Sequence, residues 1–199
     1  MTKFILIRHG STDDVGKKLS GRGNGVKLNA DGKLQAEKIP ELLLHLHVDH
    51  IFSSPQQRAH ETATPLASKL LLPVQTDEHF DEIDFGEWTN MKLDQLKDNS
   101  SFHLFNTFRS NSVVPGGESM RMAQARIIDG IEQLSKIHSG KTIVIFSHAD
   151  MIRAALLWYM GISLDLIERI QVSPASISIL HRYPSSASVV LLNYTGGLK

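Results

Sequence analysis

The sequence has no cysteine, which excludes disulfides, zinc–thiolate centres and thiol nucleophiles. It has no excess of charge of either sign, since 21 Lys and Arg balance 21 Asp and Glu. No long Lys/Arg block occurs, so neither a nucleic-acid binder nor an anionic-membrane binder is expected. The apolar run near the start, Phe4-Ile5-Leu6-Ile7, is too short for a secretion signal or a membrane span. A cytoplasmic location is therefore the expectation. No repeat, low-complexity tract or Pro/Gly/Ser-rich linker divides the 199 residues, which predicts a single domain over 1–199. What remains is an ordinary globular composition, 41% hydrophobic and 21% charged, with enough apolar material for a core.

Apolar patterning alternates between strand-like and helix-like segments. Phe4–Ile7, His50–Ser53 and Thr142–Phe146 are short apolar runs of the kind buried on both faces of a sheet. Between and after them, helices are predicted from Asn29, which suits an N-cap, through Leu46, over Gln57–Leu71, over Ser119–His138 and over Met151–Met160. Pro40 weakens or kinks the first of these if it lies inside it. Ser176–His181 and Ser188–Leu192 read as two paired strands near a sheet edge. The alternation implies an α/β fold, a three-layer sandwich with a largely parallel central sheet flanked by helices.

Each of the three apolar strands runs into polar residues of a related kind. The first enters Arg8-His9-Gly10, the second Ser53-Ser54-Pro55 with Arg58 shortly after, and the third Ser147-His148-Ala149. Ligands of open parallel sheets bind at the carboxyl ends of strands, so two imidazoles and two guanidiniums are expected to converge in one cationic pocket. Arg recognises phosphate or carboxylate through planar, bidentate contacts. A carboxylate cluster follows at Asp81, Glu82, Asp84 and Glu87, and spacing alone lets any of them act as an acid or stay a solvated face. No metal is expected: His9, His148 and Glu82 could in principle ligate one, but the two arginines would repel it. Ser139-Gly140-Lys141-Thr142 ends like a phosphate-binding P-loop, yet it follows a helix and opens a strand, the reverse of what that loop requires.

Leu6-Ile7-Arg8-His9-Gly10-Ser11-Thr12 resembles the Arg-His-Gly signature of the histidine phosphatase superfamily, the phosphoglycerate-mutase-like enzymes. Further matches follow in the family's order. They are Gly21-Arg22, Leu28-Asn29-Ala30-Asp31-Gly32, Ser53-Ser54-Pro55 with Arg58-Ala59 and Glu61-Thr62-Ala63, Asp81 to Trp88, Pro115-Gly116-Gly117-Glu118-Ser119, and Ser147-His148. The sequence departs from the common pattern at Val15, where many relatives carry Asn, at Asn24 for Asp, and at Ala149 for Gly, and it is similar to a bacterial branch labelled as phosphomutases.

The resemblance implies a metal-independent, cofactor-free phosphomonoester hydrolase. His9 would be phosphorylated, Arg8, Arg58 and His148 would surround the phosphoryl oxygens, and Glu82 would be the proton donor and acceptor. Ser11, Thr12 and Ala149 join Arg8, Arg58 and His148 as expected substrate-binding residues. The partner would be a small phosphorylated molecule, with the chain a monomer or homodimer. A phosphoglycerate mutase and a phosphate-binding module with weak turnover are the alternatives. Between Thr89 and Gly117 only Lys92, Lys97 and Arg109 are cationic, which is poor for gripping a second anionic group and favours hydrolysis. The segment 85–117 is expected to act as a lid. Phe80, Phe85, Phe102, Phe105 and Phe108 with Trp88 would either line it or pack it onto the core.

Overall fold

A computed structural model describes residues 1–197. Its centre is a six-stranded sheet in the order β3-β2-β4-β1-β5-β6. The strands are β1 (Thr2–Arg8), β2 (His50–Ser53), β3 (Val74–Thr76), β4 (Thr142–Ser147), β5 (Ile177–Arg182) and β6 (Ala187–Tyr194). β1, β2, β3 and β4 run parallel, while β5 lies antiparallel to β1 and β6 antiparallel to β5. The helices are α1 (Ala30–Leu42), α2 (Gln57–Leu70), α3 (Leu93–Leu96), α4 (Ser100–Thr107), α5 (Met120–Ile137) and α6 (Ala149–Met160). The α/β architecture with a mostly parallel sheet is the one expected from the alternating pattern.

The central strands read as continuous apolar runs because helices cover both of their faces. Phe4, Leu6, Ile143 and Ile145 face one layer with buried residues of α5 and α6. Ile5, Ile7, Val144 and Phe146 face the other, with Ile39 of α1 and Ala59, Ala63 and Leu66 of α2. Burying each such aliphatic side chain contributes roughly 1.5–3 kcal/mol, and this layered core fixes where the strand ends come to rest.

The local signals operate as expected at most boundaries. Asn29 caps α1, its Oδ1 accepting the Gly32 N–H at 2.9 Å. Ser119 caps α5 by accepting the Met122 N–H at 3.2 Å. α1 ends at Leu42 rather than reaching Leu46, with Pro40 inside its last turn. α6 begins two residues before the predicted start at Met151, directly after His148. Three short elements escaped the apolar pattern: β3, with three residues, and α3 and α4, which lie in the segment 85–117. There Trp88, Phe85 and Phe105 are buried in the core together with Phe80, Phe102 is half-buried, and Phe108 is exposed.

Candidate active site

β4 lies between β1 and β2, so the carboxyl ends of all three meet at one edge of the sheet. Arg8 stands opposite Ser147 in the parallel register, which places His9 and His148 one step beyond the ends of adjacent strands. Their rings are 5.3 Å apart and tilted by 58°. Arg58 arrives from the first turn of α2, which follows β2 directly.

The backbone around His9 is held tightly. The imidazole Nδ1 donates to the carbonyl of its neighbour Gly10 at 2.8 Å, which leaves Nε2 as the bare nitrogen. The Gly10 N–H in turn donates to Thr62 Oγ1 at 3.0 Å. α1 presses against this loop so closely that a Cβ at Gly32 would lie 2.1 Å from the Ser11 carbonyl oxygen.

The two guanidiniums are spent only in part. Arg58 is almost wholly buried, and its Nη2 donates to the Gly21 carbonyl at 2.8 Å and meets His148 Nδ1 at 3.2 Å. Arg8 Nη1 donates to the Val172 carbonyl at 2.7 Å. Arg58 Nη1 and Arg8 Nε are buried without a partner among the described residues. Other arginines also bury an unpartnered Nε, but only Arg8 and Arg58 line the cavity that contains His9. Buried donors of this kind are costly unless an acceptor meets them.

That cavity has a volume of about 160 Å³, and Thr12, Val15, Lys18, Leu19, Phe85 and Ala149 contribute to its walls beside Arg8, His9, Arg58 and Glu82. Larger grooves of about 680 and 690 Å³ lie elsewhere on the surface and contain neither histidine nor either of these arginines. Size is the wrong guide here; the converging charged groups mark the site.

Of the four neighbouring carboxylates, only Glu82 lines the cavity. Its Oε2 lies 3.5 Å from His148 Nδ1 and 3.8 Å from Arg58 Nη2. Burial pushes its carboxyl up to about 7, with Arg58 opposing and Asp150 adding to the rise. Asp81 instead accepts from Ser54, Asp84 accepts the Gly86 N–H, and Glu87 is exposed. Burial also pushes both His9 and His148 well below the ordinary imidazole range, and Arg58 and Arg8 act in the same direction. Burial thus favours the neutral form of both rings before an anion arrives.

Arg8, His9, Thr12, Arg58, Glu82 and Ala149 thus come together around one cavity, with His148 in contact with Glu82 and Arg58. Ser11 does not join them: its N–H is taken by Gln35 Oε1 at 2.8 Å, and it lines a separate groove with Asp31 and Ser173. Ser11 therefore lies outside this cavity, with its backbone N–H claimed by α1. Asp14, adjacent to the cavity wall, is engaged by Ser20 Oγ at 2.9 Å and Lys18 at 3.9 Å. Sequence reasoning did not single out Thr62, Ser54 or Asp81 for these contacts, since each acts through a partner far along the chain.

Residues 4–195 match the sequence profile of the histidine phosphatase superfamily, branch 1. The chain is 28% identical, over 98% of its length and 93% of the relative's, to phosphoserine phosphatase 1 of Hydrogenobacter thermophilus. It is 31% identical, over 99% of its length, to a bifunctional protein of Mycobacterium tuberculosis, of which it spans only 55%. A phosphoserine phosphatase from Entamoeba histolytica, solved in complex with phosphoserine, superposes with a TM-score of 0.88 over 98% of both chains at 26% identity. With the family profile spanning nearly all of the chain, the protein belongs to branch 1 of the histidine phosphatase superfamily.

Proposed function

We propose that the protein hydrolyses small phosphomonoesters through a phosphorylated His9, with Arg8, Arg58 and His148 holding the phosphoryl oxygens and Glu82 moving the proton. The observation that carries this reading is the placement of a near-neutral carboxyl in the same small cavity as a bare imidazole nitrogen and unpartnered guanidinium donors.

The steps follow from the geometry. Nε2 of His9 attacks phosphorus while the Gly10 carbonyl retains the proton on Nδ1 and stabilises the charge that develops on the ring. The P–O bond to the leaving group breaks, and the departing oxygen takes the proton of Glu82. Water then attacks the phosphohistidine, Glu82 recovers a proton from it, and phosphate leaves with His9 restored. Phosphoryl transfer depends mainly on positioning and charge stabilisation, and here the cationic side chains supply both.

Hydrolysis is favoured over transfer to a second hydroxyl by the fate of the cations in 85–117. Arg109 is buried and donates to Asp150 at 3.0 Å, Asn106 at 2.8 Å and Glu168 at 3.2 Å, so it is not free to grip a second anionic group. Lys97 pairs with Asp94 at the surface, and neither Lys92 nor Lys97 lines the cavity. The segment 85–117 then serves as a fixed apolar cover over the site, within one domain spanning the chain.

The test is phosphate release from a panel of phosphomonoesters in the presence of EDTA, with His9→Ala alongside. Turnover that resists EDTA and vanishes in His9→Ala is expected. Turnover that survives the substitution would overturn the reading.

A further inference from the structure

His148 is buried, and both of its ring nitrogens have neighbours, so its proton positions follow from what each neighbour can give or take. Nε2 lies 2.8 Å from Ser54 Oγ. Ser54 Oγ is also 3.1 Å from Asp81 Oδ1 and accepts the backbone N–H of Gln56 at 3.2 Å. A hydroxyl has one proton and two acceptor positions.

Two of the three neighbours of Ser54 are fixed in character. The Gln56 N–H can only donate. Asp81 is engaged as an acceptor on all sides: Oδ1 accepts the Glu82 N–H at 2.7 Å, and Oδ2 meets Gln56 Nε2 at 3.2 Å and the Arg22 guanidinium at 3.5 Å. The single Ser54 proton therefore goes to Asp81. Were it turned to His148 instead, two lone-pair-bearing oxygens would face each other in a buried site. Nε2 must bring its own proton. In the neutral ring Nδ1 is then bare, which agrees with the Arg58 Nη2 donor 3.2 Å away.

Nδ1 is the nitrogen on the cavity side, beside Arg58 and 3.5 Å from Glu82 Oε2. A phosphoryl oxygen is also an acceptor and would meet a lone pair there. We infer that Ser54 and Asp81 are positioning residues that commit Nε2 of His148 to its protonated form, so that His148 holds a phosphoryl group as an imidazolium, with a proton taken up from solvent on Nδ1 when the anion binds.

The charges around His148 allow this two-state behaviour. Arg58, Arg8 and Arg126 oppose its protonation, and His9 does so whenever it is charged. A bound dianion favours it, as does Glu82 while ionised, and Asp81 supports the positive ring through one intervening hydroxyl. The ring is thus neutral in the empty site and charged when phosphate supplies the missing negative charge. This inference rests on the phosphohydrolase reading for its role in turnover, but its physical content concerns only protons and phosphate.

Nitrogen-15 NMR of the histidine rings, with and without inorganic phosphate, reads both nitrogens of His148 directly. The full-length protein is expected to show a protonated Nε2 and a bare Nδ1 when free, and two protonated nitrogens with phosphate bound. A neutral His148 carrying its proton on Nδ1 in either state would overturn the inference, even in an enzyme whose turnover depends on His9. In Ser54→Ala the free ring is expected to lose its fixed tautomer, phosphate to bind about tenfold more weakly, and the acid-side limb of the pH–binding profile to move. Ser54→Thr, which keeps the hydroxyl, is expected to restore the Nε2 proton. A Ser54→Ala protein with an unchanged His148 spectrum would also count against the inference. Loss of the His9 dependence of turnover would sink the catalytic reading and leave the proton assignment standing.

Discussion

Thr62 clamps Gly10 from behind: its Oγ1 accepts the Gly10 N–H at 3.0 Å while donating to the Arg58 carbonyl at 2.7 Å. The carbonyl of the same glycine accepts from His9 Nδ1. One hydroxyl therefore connects the α2 turn that carries Arg58 with the residue whose carbonyl sets the tautomer of His9. Thr62→Val keeps the shape but leaves a buried N–H unmet, at a cost of about 1–3 kcal/mol. If about 1.4 kcal/mol of that falls on the aim of His9, kcat drops about tenfold, whereas Thr62→Ser keeps most of the activity. Steady-state kinetics of the two variants on one substrate separate these outcomes.

Glu82 gives the pH dependence its sign. In the proposed general-acid role it must be protonated in the first step, and burial holds its carboxyl at about 7. kcat/KM is expected to fall as pH rises through about 7, with the limb absent in Glu82→Gln. That variant should lose roughly 10²–10⁴-fold on alkyl phosphates. It should lose much less on 4-nitrophenyl phosphate, whose leaving group needs no proton. An equal loss on both substrates would remove Glu82 from the acid role.

The same carboxyl costs stability. Its native value lies above the ordinary 4.5, so the folded state binds the proton more tightly than the unfolded chain does. Stability is fully present below about 4.5 and is lost progressively as pH rises to about 7. At pH 8 Glu82→Gln is expected to be more stable than the parent by up to about 3 kcal/mol, and at pH 4 the two should be nearly equal. Urea unfolding at the two pH values checks this.

Arg109 ties the segment 85–117 to α6. Its guanidinium stacks over the Phe105 ring at 4.4 Å and pairs with Asp150 and Glu168, and Arg153 closes the cluster on Asp150 at 3.1 Å. Arg109→Met leaves Asp150 short of one of its two cations in a partly buried position. A loss of about 3–5 kcal/mol is expected, read as a fall in Tm of about 10 °C in thermal unfolding.

Val15 lines the cavity without offering a hydrogen bond. Val15→Asn would place an amide donor there, as in the common pattern that the sequence resembles. Inorganic phosphate is expected to inhibit this variant about three- to tenfold more strongly, consistent with one added charge-assisted hydrogen bond. Competitive inhibition measurements on both proteins decide it.

How far the sequence could be read depended on the range over which each signal acts. β2 was legible to the residue because its apolar run stops before Pro55, and the cap Asn29 announced its helix. The strand-end placement of Arg8, His9, Arg58 and His148 followed from the sheet's parallel topology. β3 was not legible, since three residues with two exposed side chains give no periodicity. The chain Asp81–Ser54–His148 was not legible either: Ser54 and His148 are 94 residues apart, and no spacing rule connects them. Ser11 and Thr12 are adjacent and chemically alike, and only the press of α1 against the loop sends one to the cavity and the other to Gln35.

The unpartnered Arg58 Nη1 and Arg8 Nε do not distinguish an ester from the free anion it releases. Both bring the same oxygens to the same donors. The free anion competes with the ester for these donors, so a hydrolase built on them carries its own throttle, which tightens as inorganic phosphate accumulates around it.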